Sequence, residues 1–327
     1  MIWEMTFQWF VDQWAVNFLD PGKRLFWGYL LSALVIGLIW LVVVQRQQPR
    51  AGIKALFSKS VWLSESARTD YLIFTLNSIL MSAIVPRLLG SAAVAYVLFE
   101  LLHDAFGGRA MIVHQMPSWV IATSFTFTFF VLDDLMRYFV HRLMHRIPFL
   151  WAFHKVHHSA TSLNPLTVLR THPIEGVIFI LRGAFVQGFC IATFVFFFGS
   201  SVSLLMVMGA NVFKFGFNAL GSNLRHSEIP LRYWRWLEKL FLSPAQHQIH
   251  HSIDPRHYDK NFGVTLAIWD VLFCSHYHSE SNQILKYGVH NQNSQLQKTH
   301  SIASLYFVPI KEAVGILFRQ KSRQNSA

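Results

Sequence analysis

The sequence predicts an all-α, polytopic membrane protein with about four to five membrane-embedded helices and a histidine-rich helical cap on the cytoplasmic side. Three observations predict it. The 327 residues are 53% hydrophobic and only 14% charged, whereas a soluble domain is about one quarter charged. The apolar residues gather into runs of helix length. The 17 histidines concentrate in boxes beside those runs, five of them within the eighteen residues HRLMHRIPFLWAFHKVHH, 141–158.

In chain order, residues 1–25 carry Trp3, Phe7, Phe10 and Trp14 at steps of four, three and four, which put the rings on one helical face. This is the spacing of an amphipathic segment lying at a membrane interface. Phe26 to Val44 follows, nineteen residues without a charge, and about 20 residues suffice to cross hydrocarbon. It starts late and VVVQRQQPR offers no small-residue cleavage site, so it reads as a retained anchor. Residues 45–69 hold Arg46, Arg50, Lys54, Lys59 and Arg68 against Glu65, a short basic loop expected on the cytoplasmic face. Residues 71–102 are apolar but broken at Pro86-Arg87, giving either one kinked helix or a shallow hairpin. Ser118 to Leu132 is apolar and turns polar afterwards, a helix leaving the membrane with histidines just outside. Val177 to Phe198, the GSS turn and Val202 to Phe217 read as two consecutive spans that return the chain to the same side. PLRYWRWLEKLF, 230–241, suits headgroup level. The tail after His276 is polar to about Ser301, and the last apolar stretch is a possible surface helix. The expected units are thus 1–25, the N-terminal membrane helices 26–110, a catalytic region 111–280 and a C-terminal tail 281–327.

The formal charge of +11 fits contact with an anionic membrane surface. No nucleic-acid-binding module is recognisable, so nucleic acid is not an expected partner. Cys190 and Cys274 make neither a disulfide framework nor a cysteine-rich metal site.

The chemistry lies in three boxes: His141-x-x-x-His145; HKVHH, with His154, His157 and His158; and HQIHH, with His247, His250 and His251. Residues three or four apart share a helical face, so each box is expected to point its rings one way. Eight imidazoles exceed what one metal needs. Two adjacent metals, each taking about four or five nitrogens, would use them all. Imidazole suits Fe, Zn, Cu and Ni rather than Mg or Ca. There is no H-E-x-x-H motif, and Glu100-x-x-His103 is the lone E-x-x-H pair, short of what a carboxylate-bridged di-iron bundle requires.

The ordered boxes, with DLMRYFVHRLMH, FHKVHHSATSLNPLTVLRTHPIE, NLRHSEIP, SPAQHQIHH and NFGVTLAIWDVLF around them, resemble the sterol desaturase / fatty acid hydroxylase superfamily across about residues 115–275. The resemblance implies an integral-membrane oxygenase that uses O2 and two iron ions, with zinc as a possible substitute, to hydroxylate or desaturate a C–H bond of a sterol, acyl or ether lipid. By matching position it implies the ligands His141, His145, His154, His157, His158, His247, His250 and His251, with His226 as a ninth and His172 as a less certain addition. Asp134, Glu175 and Asn261 are candidates for supporting the ligands from behind, Asp134 by orienting an imidazole. His257, His276 and His278 are expected near the site in sequence alone, and His103, His114, His290 and His300 at the surface.

No haem-attachment, iron–sulfur or dinucleotide motif occurs, so electrons are expected from a separate donor, a ferredoxin or small cytochrome with its reductase. A rival reading is a membrane metal transporter, or a histidine-rich metal-binding protein without oxygenase activity. Transporters place ligands inside spans or in low-complexity loops, whereas these boxes lie beyond the span ends in fixed order.

Overall fold

Apolar runs separated by proline, glycine and polar turns become helices in the order the sequence lays them out. The computed structural model describes residues 2–108, 116–199, 202, 211–281, 283–289 and 300–324. The helices are α1 (Ile2–Leu19), α2 (Trp27–Ile39, continued by a π-turn Trp40–Val44), α3 (Pro49–Leu56), α4 (Lys59–Trp62), α5 (Glu65–Ile84), α6 (Ser91–Ala105), α7 (Ser118–Arg146), α8 (Pro148–His158), α9 (Pro173–Phe198), α10 (Val212–Ala219), α11 (Pro244–His250), α12 (Ile268–Leu272) and α13 (Ile302–Gln324). Among the described residues no strand forms; the pairs Phe241–Leu266 and Ser252–Tyr287 are isolated bridges. The protein is an all-α, polytopic membrane protein.

Three of the described helices are long and apolar enough to cross a membrane: Trp27–Val44, Ser118–Arg146 and Pro173–Phe198. The stretch 71–102 resolves to two helices, α5 and α6, separated by a break at residues 85–90. Pro86, which cannot donate a backbone hydrogen bond, sits in the 3-10 turn that ends α5, and α6 restarts after Gly90. α6 lies against α9, where a Cβ on Gly188 would stand 2.6 Å from Val94 Cβ and 2.8 Å from the Ser91 carbonyl. Close approach over small residues is how helices gain packing energy in lipid, where apolar side chains gain little by leaving the solvent. Of the expected span Val202 to Phe217, residues 203–210 lie outside the described part, and Val212–Ala219 is helical.

α7 and α9 share an apolar seam of Ile121, Phe125, Val186, Cys190 and Phe194. Towards the histidine end the seam turns ionic. Asp133 of α7 pairs with Arg137 at 3.0 Å and with Arg182 of α9 at 2.8 Å, and also with Lys214 of α10. The C-terminal helix α13 does form, and one of its faces is buried. Leu305 packs with Ile73 and Val156, Ala313 packs with Ala152 and Phe153 of α8, and Glu312 pairs with Lys155. In α1, Trp14 packs on Phe18 and Phe74; the side chains of Trp3, Phe7 and Phe10 lie outside the described set.

Candidate metal centre

The boxes are brought together by three short elements at the end of the α7–α9 pair. α7 carries His141 and His145 on its last turns, and Pro148, at the first helical position where a missing N–H costs nothing, starts α8 after a one-residue break at Ile147. α8 ends on His154, His157 and His158. Gly221, with φ of 86°, opens the 3-10 turn Ser222–His226 that presents His226. α11 is capped at Ser243 by a reciprocal box with Gln246 and carries His247 and His250, with His251 as its C-cap.

Nine histidines converge, in two groups. His141, His145, His154, His158 and His250 form one; His157, His226, His247 and His251 form the other. Within each group the candidate ligand nitrogens lie within 4.8 Å of one another. In the second group the Nε2 atom of His226 stands 3.1 Å from that of His247, 3.2 Å from that of His251 and 3.3 Å from that of His157. Four nitrogens at about 2.0–2.1 Å from one tetrahedral ion would be about 3.3 Å apart. His158 and His251 stack at 4.5 Å between centroids and join the two groups.

In the first group the outward nitrogens are fixed by the protein. Nδ1–H of His141 donates to the Phe262 carbonyl at 2.8 Å, that of His250 to the Lys260 carbonyl at 2.8 Å, and that of His154 to the Glu175 carboxylate at 2.9 Å. The Nε2 atoms of His145, His154, His158 and His250 are buried with no hydrogen-bond partner. Buried polar atoms in native proteins normally have a partner, and a set of unpartnered lone pairs facing one point is the donor set of a cation site. The residues therefore fit two metal ions that imidazole favours. The outward nitrogens of His247 and His251 meet no such acceptor.

Burial keeps these rings neutral, as ligation demands. It pushes His154 down to about 3 and, helped by His154, His157 to about 4. Burial, followed by the neighbouring imidazoles, holds His158, His226, His247 and His251 well below the ordinary value. A cleft of about 370 Å³ walled by Trp151, Ile253 and Tyr258 reaches His145, His158 and His250.

The other expected residues take these places. Glu175 accepts from His154 Nδ1–H at 2.9 Å. His172 joins neither group: its Nδ1 accepts from the Ile174 N–H and caps α9, while Nε2–H donates to the Tyr306 carbonyl. Asp134 orients no imidazole. It accepts from the backbone N–H of Thr265 and Leu266 and from Trp269 Nε1, pinning the loop behind His141, because its side chain leaves α7 about 10 Å along the axis from His141. Asn261 likewise acts through backbone, accepting from Tyr277 N–H and donating to the Gln246 carbonyl with φ of 56°, a left-handed setting that asparagine tolerates.

Four further histidines have their own partners: His257 is buried beside Gln283, His276 and His278 bond Glu238, and His103 packs on Phe99 and Phe196. His300, expected at the surface, is half-buried on Arg170. His114 and His290 lie outside the described residues.

Sequence reasoning missed the groups that brace the boxes. Arg170 is fully buried and bonds Asp70 at 2.9 Å, the Val156 carbonyl and Ser159, locking the end of α8. Asp270 gathers the N–H groups of Phe262 and Gly263, and burial pushes it up to about 6. A Cβ on Gly263 would meet that carboxylate at 2.8 Å. Arg170 and Asp270 stand within the stretches RTHPIE and WDVLF, whereas Asp70, at the polar edge of an apolar run, carries no signal.

A fatty acid hydroxylase family model matches residues 126–275, the region that holds all nine histidines. Over those residues the chain carries a fatty acid hydroxylase region, consistent with the sterol desaturase / fatty acid hydroxylase superfamily. The chain is 29% identical over 184 residues to the alkylglycerol monooxygenase of Caenorhabditis elegans, covering 56% of this chain and 32% of that protein. It is 31% identical over 160 residues to methylsterol monooxygenase 1 of Danio rerio, 48% of each chain, and 28% identical over 142 residues to the ornithine lipid hydroxylase OlsE of Rhizobium tropici, 43% of this chain and 38% of that one. The chain thus spans between about a third and a half of these relatives' lengths. No solved structure matches the chain.

Proposed function

We propose that the protein is an integral-membrane, non-haem di-iron oxygenase that uses O2 to hydroxylate or desaturate a C–H bond of a lipid. The observation that carries this reading is the pair of buried imidazole groups at metal spacing, built at the end of helices long and apolar enough to cross a membrane. His141, His145, His154, His158 and His250 would hold one iron, and His157, His226, His247 and His251 the other. When bound, the iron pair supplies the activation of O2: one oxygen atom enters the C–H bond and the other leaves as water with two electrons and two protons. The protein's part is positional. Glu175, the Phe262 carbonyl and the Lys260 carbonyl fix tautomer and ring direction, which raises ligand basicity and holds the donors ready. Trp151 and Phe262 pack against the rings of the first group, walling it with apolar surface.

The electrons come from a separate ferredoxin or small cytochrome with its reductase. The histidine cap faces the cytoplasm, a reading supported by the basic loop 45–69 next to the first span. The alternative of a metal carrier is not favoured: a carrier must release its ion, and nine buried, converging donors, three of them braced from behind, are built for retention.

Comparative lipid mass spectrometry of cells with and without the protein tests the reading. A lipid gaining one oxygen or losing two hydrogens, only when O2 is present, is expected. An unchanged lipid profile with protein that holds two irons per chain would reject it. Cysteines placed near Ser159 and Ser252, at the exposed Thr161 and Arg256, should both resist an impermeant thiol reagent in intact cells; labelling of either would reject the cytoplasmic orientation.

A further inference from the structure

Beside the histidine centre, a cleft of about 610 Å³ opens between α1, α5, α7 and α9. Val16, Phe74, Met81, Val85 and Ile180 line it with apolar surface, and Lys23, Arg24 and Arg137 bring charge to it. It runs along Pro173 and Gly176, which flank the Glu175 that orients His154. Arg24 also binds the turn that carries His226, donating to the Ser222 carbonyl at 3.4 Å, with its own backbone carbonyl accepting from Asn223, and it donates to Asn218 Oδ1 of α10 at 2.6 Å.

The charges around this cleft do not balance. Arg137, Arg182 and Lys214 all pair with Asp133. Among the described residues, Arg24 and Arg225 hydrogen-bond to carbonyl and amide oxygens and to no carboxylate, and Nε of Arg24 is buried without a partner. The nearby Asp134 is spent on backbone N–H groups and an indole. Burial, then Arg225 and Arg137, hold the Arg24 guanidinium well below its ordinary value, the direction expected where positive charge lacks a counter-ion. Buried charge without a partner costs several kcal/mol. A site that accumulates such charge beside an apolar slot is complementary to an amphiphile with a negative group at one end.

We propose that this cleft binds the anionic headgroup of the lipid substrate, a phosphate or carboxylate, on Arg24 and Arg137, with the adjoining chain along Met81, Val85 and Ile180. That the bound lipid is a substrate rests on the oxygenase reading; that the cleft selects an anionic amphiphile does not. Arginine suits the task, because its planar fork can take two oxygens at once.

The test measures binding rather than turnover. The purified, metal-loaded full chain in a neutral maltoside detergent is titrated with monooleoyl phosphatidate, with monoolein, which has the same chain and no charge, and with inorganic phosphate. Affinity and melting temperature are read. The expected result is at least about tenfold tighter binding of the phosphate lipid than of monoolein, a preference worth about 1.4 kcal/mol. Arg24→Gln and Arg137→Gln should each cut that preference below about threefold while metal content stays at the wild-type value. Because Arg24 also braces the 222–226 turn, Arg137→Gln guards against a folding defect: Asp133 there keeps Arg182 and Lys214. Lys54→Gln, on the exposed face of α3, should keep the preference. Equal binding of the two lipids, an unaltered preference in both arginine variants, or its loss in Lys54→Gln would overturn the inference. So would an equal melting shift from inorganic phosphate alone, which would mark a free-anion site. Loss of oxygenation in a protein that retains the preference would count against the oxygenase reading instead.

Discussion

His226 is the histidine outside the three boxes, and its replacement measures whether the second group is a metal site. His226 Nε2 lies 3.1–3.3 Å from the Nε2 atoms of His247, His251 and His157, so His226→Ala removes one of four converging donors and leaves three. Loss of a residue that merely orients a ligand costs about 10–100-fold in metal affinity. Loss of the ligand itself should exceed the upper end, more than about 100-fold, or about 2.7 kcal/mol. The first group uses none of the same nitrogens. Elemental analysis of protein purified with iron under anaerobic conditions should therefore fall from about two metals per chain to about one, with oxygenation abolished. His172→Ala is the matched control, since it removes a helix cap worth about 1 kcal/mol and should leave both metals in place. A folded His226→Ala protein that holds two metals would refute the assignment of the second group.

Glu175→Gln keeps the shape beside His154 but not the charge, so metal affinity or turnover should fall about 10–100-fold; an unaltered titration of the first site would refute its role. Arg170→Met strands Asp70 in the interior and should destabilise the protein by about 3–5 kcal/mol, while the double replacement with Asp70→Asn costs less. A single variant that melts no lower than the double would refute the pairing. In the metal-free protein, His154 and His157 have folded-state values of about 3 and about 4, below the unfolded value near 6.5. The unfolded chain takes up protons first as pH falls, so stability is full above about pH 6.5 and is lost towards pH 4, at about 1.4 kcal/mol per pH unit for each ring. A melting temperature flat from pH 7 to 4.5 would refute this, and bound iron should protect until protons compete for the nitrogens.

Much of this was legible in the chain. Hydrophobic runs gave the spans because a bilayer demands about 20 apolar residues whatever their order. The histidine spacings pointed to two metals because imidazole is a poor core residue without one. The break at Pro86 stayed ambiguous, since proline both kinks and ends helices. The bracing groups were less visible. Asp70 and Arg170 are a hundred residues apart, and nothing local in either marks the other. Asp134 misled because its helical face was read and the loop that returns across it, 264–269, could not be. His172 and His300 show the reverse error: a polar ring near a site can be occupied by a helix end or an arginine.

The boxes do not work as units, and this is the point at which periodicity needed the third dimension. In an α-helix, a residue four positions on lies about 40° round the axis, three on about 60° the other way, so neighbours are about 100° apart. In HKVHH the pair His154 and His158 serves the first group and His157 the second; in HQIHH the pair His247 and His251 serves the second group and His250 the first. The two boxes thus exchange roles, each giving an i, i+4 pair to one site and the remaining ring to the other. The H-x-x-H-H pattern would allow a single short helix to address two metals at once. It also couples them: α8 and α11 cannot shift to relax one group without moving donors of the other. Emptying the second site through His226→Ala should therefore weaken the first as well, by the strain passed along α11 from His247 and His251 to His250. The remaining iron should then dissociate faster than either iron of the wild type, and a residual site with wild-type off-rate would show that the helices hold the two groups independently.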